Sequence, residues 1–310
     1  MENTIVSVRN LSHRYSVQWA IRDINFDIVE KGVMGLLGSN GAGKSTTMNI
    51  ICGVLNQTEG DVFIKGVNLR ENPVEAKRYI GFLPQQPPLY TDLTVEEYLR
   101  NAALLRLMDK SEVNRAVDIA LDKCAITHFR NRLIKNLSGG YQQRVGIAQA
   151  IVHNPDFVVL DEPTNGLDPN QIVDIRNLIR EIAEQHAVLL STHILSEVQA
   201  ICNNIKMIDS GKLVFSGSME DFDNYIAPDS FVLTLGNTPG KDTLAGLVKN
   251  KGVEELGDGS YRIFFDEDNS ITERYIEESV KNNWELRELS VERCGLDQIF
   301  AQLSGKTGNK

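Results

Sequence analysis

The chain has 310 residues, 42% of them hydrophobic, and a formal net charge of −10, a length and apolar content that suffice for two ordinary domains. No apolar run approaches the roughly 20 residues of a membrane-spanning helix, and the N-terminus has no basic-then-apolar signal segment, which excludes a polytopic membrane protein and a secreted one. We therefore expect a cytosolic polypeptide that reaches a membrane only through a partner.

The first predicted elements are two strands over residues 4–9 and 21–28, where apolar and polar side chains alternate as in half-buried antiparallel strands. An apolar strand over 33–37 follows and leads into a glycine-rich segment. This segment has the pattern Gly-x-x-x-x-Gly-Lys-Ser and precedes a plausible helix, as a phosphate-binding P-loop does. Its residues are Gly38, Ser39, Asn40, Gly41, Ala42, Gly43, Lys44, Ser45 and Thr46.

The glycine-rich segment has the chemistry that nucleotide phosphates need. Glycines let backbone N–H groups turn toward phosphate oxygens, and the helix that starts near Lys44 adds the positive end of its dipole. We expect Lys44 to reach the β- and γ-phosphates and Ser45 to ligate Mg²⁺. The alternative is a glycine-rich turn before an ordinary helix. The strand before the segment and the helix after it favour the P-loop.

Residues 88–140 have a helical pattern, with a good helix start at 94–99. The pattern ends in Leu-Ser-Gly-Gly over 137–140. On its own this tetrapeptide favours a capped helix start, because Ser138 suits an N-cap. A seryl hydroxyl beside bare glycine N–H groups at a helix start also makes an anion site.

The run from 157 to 162 is apolar until its last two residues, Asp161 and Glu162. It predicts a buried parallel strand that delivers carboxylates to its C-terminal edge, where ligands bind in such sheets. Asp161 suits Mg²⁺, and Glu162 suits orientation or deprotonation of an attacking water. Alone, the pair favours a solvated strand end; the P-loop upstream favours the functional interpretation. Strand and helix patterns alternate to residue 209, which predicts a doubly wound parallel sheet.

The composition changes after residue 218, where a second unit is predicted. Its expected order is strand, helix, strand, strand, helix, strand and a last helix, that is, a ferredoxin-like βαββαβ unit with one added helix. The expected ranges are 230–235, 241–249, 252–256, 260–265, 270–281, 284–291 and 295–303.

The second unit is also more acidic than the first. Residues 219–310 hold 18 acidic and 10 basic residues, against 24 and 22 in residues 1–218. This balance argues against nucleic acid as a partner, because phosphate binding needs a basic surface. The acidic run 266–268 is expected to be a solvated face. Four widely spaced cysteines, at 52, 124, 202 and 294, indicate reduced buried thiols rather than disulfides or zinc ligands.

These motifs, in this order, resemble the ATP-binding subunit of an ABC transporter over about residues 3–218. The resemblance implies an α/β fold in which a P-loop ATPase domain, 1–218, combines a RecA-like parallel sheet, an antiparallel β subdomain and a helical subdomain at about 88–140. The ferredoxin-like α+β domain, 219–310, would be an accessory domain. The ending 295–303 resembles ABC-2 exporters of the drug-export and gliding-motility type.

The resemblance also implies roles for two residues outside the P-loop. Tyr15 matches the aromatic position that stacks on adenine, a role that suits a flat π-face. Gln85 matches the glutamine that senses Mg²⁺ and the attacking water at the coupling surface; Gln86 is adjacent, so a slip of one residue stays open. An ordinary strand aromatic is the alternative for Tyr15.

Three further matches concern closure of the ATP site. Ser138, Gly139 and Gly140 match the signature sequence, which in the family binds the γ-phosphate of ATP held by the other subunit. Asp168 matches the loop that crosses the dimer interface. His193 matches the switch histidine that contacts the γ-phosphate, although a lone His after a strand is more often an ordinary residue.

The resemblance therefore implies an ATPase that uses ATP and Mg²⁺. Because the chain holds one P-loop and one signature, a complete site needs a second copy, and we expect a homodimer. The dimer would power a separate membrane permease, favouring export, from the cytoplasmic face of the cell membrane. Two alternatives are a soluble ABC ATPase that acts on ribosomes or DNA, and a regulatory module that uses ATP only to change shape. The presence of both Glu162 and His193 argues against the regulatory module.

Overall fold

The computed structural model describes residues 4–226, 228–247, 250–265 and 270–292, and single positions at 299, 302, 303 and 305. The chain divides into two compact units, the first ending at Met219 and the second beginning at Glu220. In the part of the chain that is described, no helix is long and apolar enough to cross a membrane.

The first unit contains ten strands and seven helices among its described residues, and an eighth helix begins at its end. The strands are β1 (Val6–Tyr15), β2 (Gln18–Ile28), β3 (Gly32–Leu37), β4 (Glu59–Ile64), β5 (Val67–Asn68), β6 (Ile80–Leu83), β7 (Phe157–Asp161), β8 (Ala187–Thr192), β9 (Asn204–Asp209) and β10 (Lys212–Ser218). The helices are α1 (Lys44–Ile51), α2 (Pro73–Arg78), α3 (Val95–Leu105), α4 (Val113–Lys123), α5 (Gly139–Ile151), α6 (Pro169–Ala183), α7 (Leu195–Ile201) and α8 (Met219–Asp223).

A six-stranded sheet in the order β10-β9-β3-β8-β7-β6 forms the centre of the first unit. Five strands are parallel, and only the edge strand β10 is antiparallel to its neighbour. β7 and β8 are buried at every residue, which explains their nearly continuous apolar sequence. Leu37 pairs with Thr192, and Asp161 with Ser191. The ends of three strands thus meet at one sheet edge.

A second sheet, β2-β1-β4-β5, is antiparallel throughout. β1 is longer than the predicted strand 4–9, because irregularities in its pairing with β2 interrupt the alternation after Val8. Asn10 there has a left-handed φ of 48°. The segment 88–140 contains α3, α4 and two 3₁₀ turns before α5 begins. The predicted fold class, an α/β P-loop ATPase, is confirmed.

Among its described residues, the second unit forms a four-stranded antiparallel sheet with the helices α9 (Lys241–Leu247) and α10 (Ser270–Lys281) beside it. Its strands are β11 (Ser230–Leu235), β12 (Gly252–Gly257), β13 (Ser260–Phe264) and β14 (Leu286–Glu292). The sheet order, β12-β13-β11-β14, has the ferredoxin-like topology. Phe231, Tyr261 and Tyr275 lie in its core. The acidic run 266–268, Cys294 and most of the predicted helix 295–303 lie outside the described residues.

The three described cysteines, Cys52, Cys124 and Cys202, are buried and free. Burial raises the pKa of Cys124 and of Cys202 to about 12, so both thiols stay protonated near neutral pH. These cysteines behave as small hydrophobic residues rather than as nucleophiles or metal ligands.

Candidate functional site

A cavity of 470 Å³ lies where the loops after β3, β6, β7 and β8 meet at the edge of the parallel sheet. Carboxyl ends of parallel strands are where open α/β sheets bind ligands. The cavity is lined by Ala20, Asn40, Gly41, Gly43, Lys44, Ser45, Thr46, Gln85, Glu162, Asn165 and His193. Four separate stretches of the predicted site are thus brought together.

The glycine-rich turn before α1 depends on two glycines for steric reasons. Gly43 has a φ of 113°, and a Cβ there would lie 2.6 Å from Cγ2 of Ile21. A Cβ on Gly38 would lie 2.3 Å from the backbone oxygen of Ile208. Larger residues therefore cannot replace either glycine without moving the backbone.

Lys44, the first residue of α1, folds its side chain back over the turn. Its Nζ donates to the backbone oxygens of Gly38 at 2.8 Å and Ser39 at 3.1 Å. The residue is only 6% exposed, and burial lowers the pKa of its ammonium group, while the negative charges of Glu162 and Asp161 act in the opposite direction. A buried ammonium group whose hydrogen bonds go to neutral carbonyls suits an anionic ligand that offers charged acceptors.

Asp161 ends β7 and is also 6% exposed. Burial is the main cause that raises the pKa of Asp161; the hydroxyls of Ser191 and Ser45 and the charge of Lys44 act against it, and Glu162 adds to it. Its Oδ1 has no hydrogen-bond partner in the protein. A buried carboxylate oxygen without a partner, beside a seryl hydroxyl, fits a hard cation such as Mg²⁺.

The Glu162 carboxylate is the point where three loops meet. Gln85 Nε2 donates to its Oε2 at 2.8 Å, and His193 Nδ1 lies 2.9 Å from its Oε1. The Glu162 backbone N–H donates to the oxygen of Ser191 at 3.0 Å, and its φ of 47° is left-handed. A non-glycine residue held in that conformation is frequent at functional sites. Gln85 and His193 are thus positioned by a shared carboxylate beside Lys44.

The remaining predicted residues lie outside the cavity wall. Gly38, Ser39 and Ala42 belong to the turn itself. Tyr15 ends β1 with 53% of its surface exposed, and His13 packs against its ring at a centroid distance of 4.7 Å. An exposed ring at the end of a strand can receive a flat ligand.

The signature residues begin α5, and none of them lines the cavity of the same chain. Ser138 stands at the N-cap position, but its hydroxyl makes no capping hydrogen bond. Gly139 has open space where a side chain would be, whereas a Cβ on Gly140 would lie 2.7 Å from the Gln171 side chain. The Ser138 hydroxyl and the adjacent glycine N–H groups together form a potential anion site.

Asp168 has the capping role that Ser138 lacks. Its carboxylate accepts from the backbone N–H groups of Asn170 and Gln171, each at 3.0 Å, at the start of α6. The loop between β7 and α6 is therefore fixed at both ends, by Glu162 and by Asp168.

Two residues of the cavity wall were missed by the sequence analysis. Asn165 has its Nδ2 3.5 Å from Glu162 Oε2, and Ala20 borders the glycine-rich turn. Asn165 follows Glu162 by three residues, and this spacing in a loop was the signal that could have found it. Ala20 is apolar and distant in sequence, and no local pattern marks it.

A family model described as ABC transporter matches residues 21–165. The chain is 30% identical over 247 residues to the uncharacterized ABC transporter ATP-binding protein YxlF of Bacillus subtilis (strain 168), covering 80% of both chains. It is 35% identical over 215 residues to the bacitracin transport ATP-binding protein BcrA of Bacillus licheniformis, covering 68% of this chain and 69% of BcrA. The dimeric structure of MJ0796, a bacterial ABC transporter cassette, aligns with a TM-score of 0.62 and 27% identity, over 69% of this chain and 98% of that chain.

Proposed function

The chain belongs to the ABC transporter family as an ATP-binding subunit with ATPase activity, and from that premise we propose that two copies close around two ATP molecules and drive export through a separate membrane permease. One observation carries the proposal. The Glu162 carboxylate lies beside the P-loop and is held between Gln85 and His193. That arrangement suits the orientation of a water molecule toward a γ-phosphate.

The roles of the P-loop residues follow from their donors and charges. Lys44 exchanges its bonds to the loop for phosphate oxygens, and backbone N–H groups of the turn complete the phosphate site. Asp161 and Ser45 would hold Mg²⁺, which would neutralise charge on the phosphates. Among the described residues, no group of three or more His, Cys, Asp or Glu side chains could hold a metal ion. Phosphate oxygens and waters would complete the ligand set, so the cation would bind together with the nucleotide.

Glu162 then acts on the attacking water, by orienting it or accepting its proton. His193 and Gln85 hold the carboxylate in place and would face the γ-phosphate and Mg²⁺. The exposed ring of Tyr15 stacks on the adenine.

The second copy supplies what one chain lacks. Ser138, Gly139 and Gly140 lie outside the cavity of their own chain, which supports the role that the resemblance implies, namely contact with the γ-phosphate bound by the partner. Asp168 fixes the loop that crosses the dimer interface. The dimeric state of the related MJ0796 cassette supports this arrangement.

The permease docks on a surface outside the nucleotide cavity. A second cavity, of 1130 Å³, is bordered by α2 and by the residues that follow α3. Val74 and Leu107 on its wall are 65% and 58% exposed. Tyr90, which follows Gln85 of the expected coupling surface by five residues, is 62% exposed. Exposed apolar side chains beside a cavity suit a protein partner. The subunit would thus be attached peripherally to the cytoplasmic face of the membrane. The similarity to BcrA, a bacitracin transport ATP-binding protein, supports a role in transport. The resemblance of the ending to ABC-2 exporters favours export.

Affinity purification from native membranes tests the proposal. Tagged Glu162→Gln protein is captured with ATP present, and the polypeptides that accompany it are identified; Lys44→Ala protein, impaired in ATP binding, is the control. The proposal expects a polytopic membrane protein in stoichiometric amount. Ribosomes, DNA or the homodimer alone in a soluble fraction would instead indicate an ATPase that works without a permease.

A further inference from the structure

Two of the segments that form the nucleotide cavity are joined by a buried carboxylate that lies outside this cavity. Glu197, on α7, is 1% exposed. Its Oε1 accepts from the Thr164 hydroxyl at 2.5 Å, and its Oε2 accepts from the Thr192 hydroxyl at 2.8 Å. Arg176 on α6 lies 3.7 Å from Oε1 and balances the charge. Each carboxylate oxygen is thus bonded to a different segment of the chain.

The two threonines belong to the segments that carry the reactive pair. Thr164 follows Glu162 by two residues, in the loop that ends at Asp168. Thr192 directly precedes His193, and its hydroxyl also accepts from the Ile194 backbone N–H at 3.0 Å. Both threonines are buried. Their hydrogen bonds to one carboxylate therefore add a side-chain link between the Glu162 loop and the end of β8, beside the backbone bond from the Glu162 N–H to the Ser191 oxygen.

We propose that Glu197, through Thr164 and Thr192, is a positioning residue that holds Glu162 and His193 in contact. The inference rests on the proposed function of that pair. Glu162 is in a left-handed conformation, and His193 is half exposed, so neither residue is held by its own local preference. Their 2.9 Å contact depends instead on where the two segments lie. A buried charge with two hydroxyl donors holds them rigidly, because an unmade hydrogen bond to a buried charge is costly.

A purely structural role is the competing explanation, since any buried carboxylate needs hydrogen-bond donors. The two explanations differ in what they predict. A structural role lowers thermal stability and affects substrate binding and turnover together. A positioning role lowers kcat while KM for ATP stays close to that of the wild type, at a temperature at which the variant is folded; the lost hydrogen bond to a buried charge lowers the melting temperature in both cases.

The test compares Thr164→Val, which removes the hydroxyl and keeps the shape, with Thr164→Ser, which keeps the hydroxyl. We expect Thr164→Val to lower kcat about tenfold with KM for ATP within about twofold, because small misplacements of reacting groups cost up to about 100-fold. Thr164→Ser should restore most of kcat. Thr234→Val is the matched control, because the Thr234 hydroxyl bonds Ser260 within the second unit.

A second measurement asks whether the effect passes through His193. In a His193→Ala background, with residual turnover measured using labelled ATP, Thr164→Val should cause less than about a twofold further loss. An equal loss in both backgrounds, or wild-type kcat in folded Thr164→Val protein, would overturn the proposal. Should Thr164→Val not fold, Thr192→Val tests the other carboxylate oxygen. Turnover that Lys44→Ala does not reduce would instead refute the proposed ATP site itself.

Discussion

Lys44 and Asp161 of the first unit and Arg262 of the second unit are charged residues in opposite environments. In the first unit, Lys44 and Asp161 are buried beside a cavity, and burial lowers the pKa of the lysine and raises that of the aspartate. In the second unit, Arg262 bonds Glu292 and Glu254 on the sheet face opposite the core, which raises the pKa of Arg262 and lowers that of Glu292. Buried groups that can form further hydrogen bonds are available to a ligand. In the Arg262 cluster, by contrast, the guanidinium group binds the two carboxylates.

The largest expected effect concerns Glu162. Glu162→Gln should slow hydrolysis by about 100-fold or more, because general-base assistance contributes about 10² to 10⁴ to rates. The variant still binds ATP and should accumulate as an ATP-bound dimer. Phosphate release measures the rate, and mass photometry with saturating ATP measures the dimer.

Glu255→Gln, on an exposed strand residue of the second unit, is the matched control and should leave both readouts unchanged. A monomeric Glu162→Gln protein at saturating ATP would contradict closure around two nucleotides. If Glu255→Gln slowed hydrolysis as much as Glu162→Gln, the effect would not be specific to the carboxylate in the nucleotide cavity.

The second effect concerns Lys44. Lys44→Ala should reduce turnover by about 10² to 10³, the loss typical of one preorganised donor to a developing charge. Steady-state phosphate release is the measurement. Lys281→Ala, which removes an exposed lysine paired with Glu278, should leave turnover unaltered. Unaltered turnover of Lys44→Ala would mean that the nucleotide binds elsewhere.

The smallest effect is a difference in acid stability. Burial lowers the pKa of His153 to about 4, and its Nδ1 has no partner. An exposed histidine has a pKa of about 6.5, so the unfolded chain binds a proton that the folded first unit does not. The free energy of unfolding should therefore fall by up to about 3 kcal/mol as pH drops from about 6.5 to about 4. The lowered pKa of Glu292 acts in a lower window: its stabilisation is complete above about pH 4.3 and is lost below it.

Urea unfolding at pH 7 and pH 5 measures this difference. His153→Gln, which keeps a donor toward the oxygen of Ile80, should flatten the pH dependence of the first unit. An unchanged slope in His153→Gln would show that another group titrates. His186, whose pKa is also lowered by burial, contributes in the same direction and stays intact in the variant.

The sequence predicts the site well where neighbouring residues define it. The P-loop and the pair Asp161–Glu162 each depend on one strand end and the turn after it, so their spacing along the chain is enough. The parallel order of the central sheet follows from alternating strands and helices in the same way. The ferredoxin-like topology also follows from element order alone, although its last predicted helix lies mostly outside the described residues.

The sequence does not predict contacts that depend on distant segments. Glu197 meets Thr164 across 33 residues, and no pattern links the two. The end of β1 was missed because irregular pairing breaks the two-residue period on which strand prediction depends. Ser138 has the residue type of an N-cap without making the bond, while Asp168 makes it. Residue type gives a preference, and tertiary packing decides whether it is used.

The contact of Lys44 with its own loop has a consequence for ligand discrimination. The Lys44 ammonium group already donates to the oxygens of Gly38 and Ser39. These carbonyls therefore compete with any incoming anion for the ammonium group. A ligand must offer better acceptors at the same place to displace them, and a charged phosphate forms stronger hydrogen bonds than a neutral carbonyl. A nucleotide without terminal phosphates offers Lys44 no such acceptor and should bind more weakly. The contacts of Lys44 with its own loop thus favour ligands with charged oxygen acceptors over ligands with neutral ones.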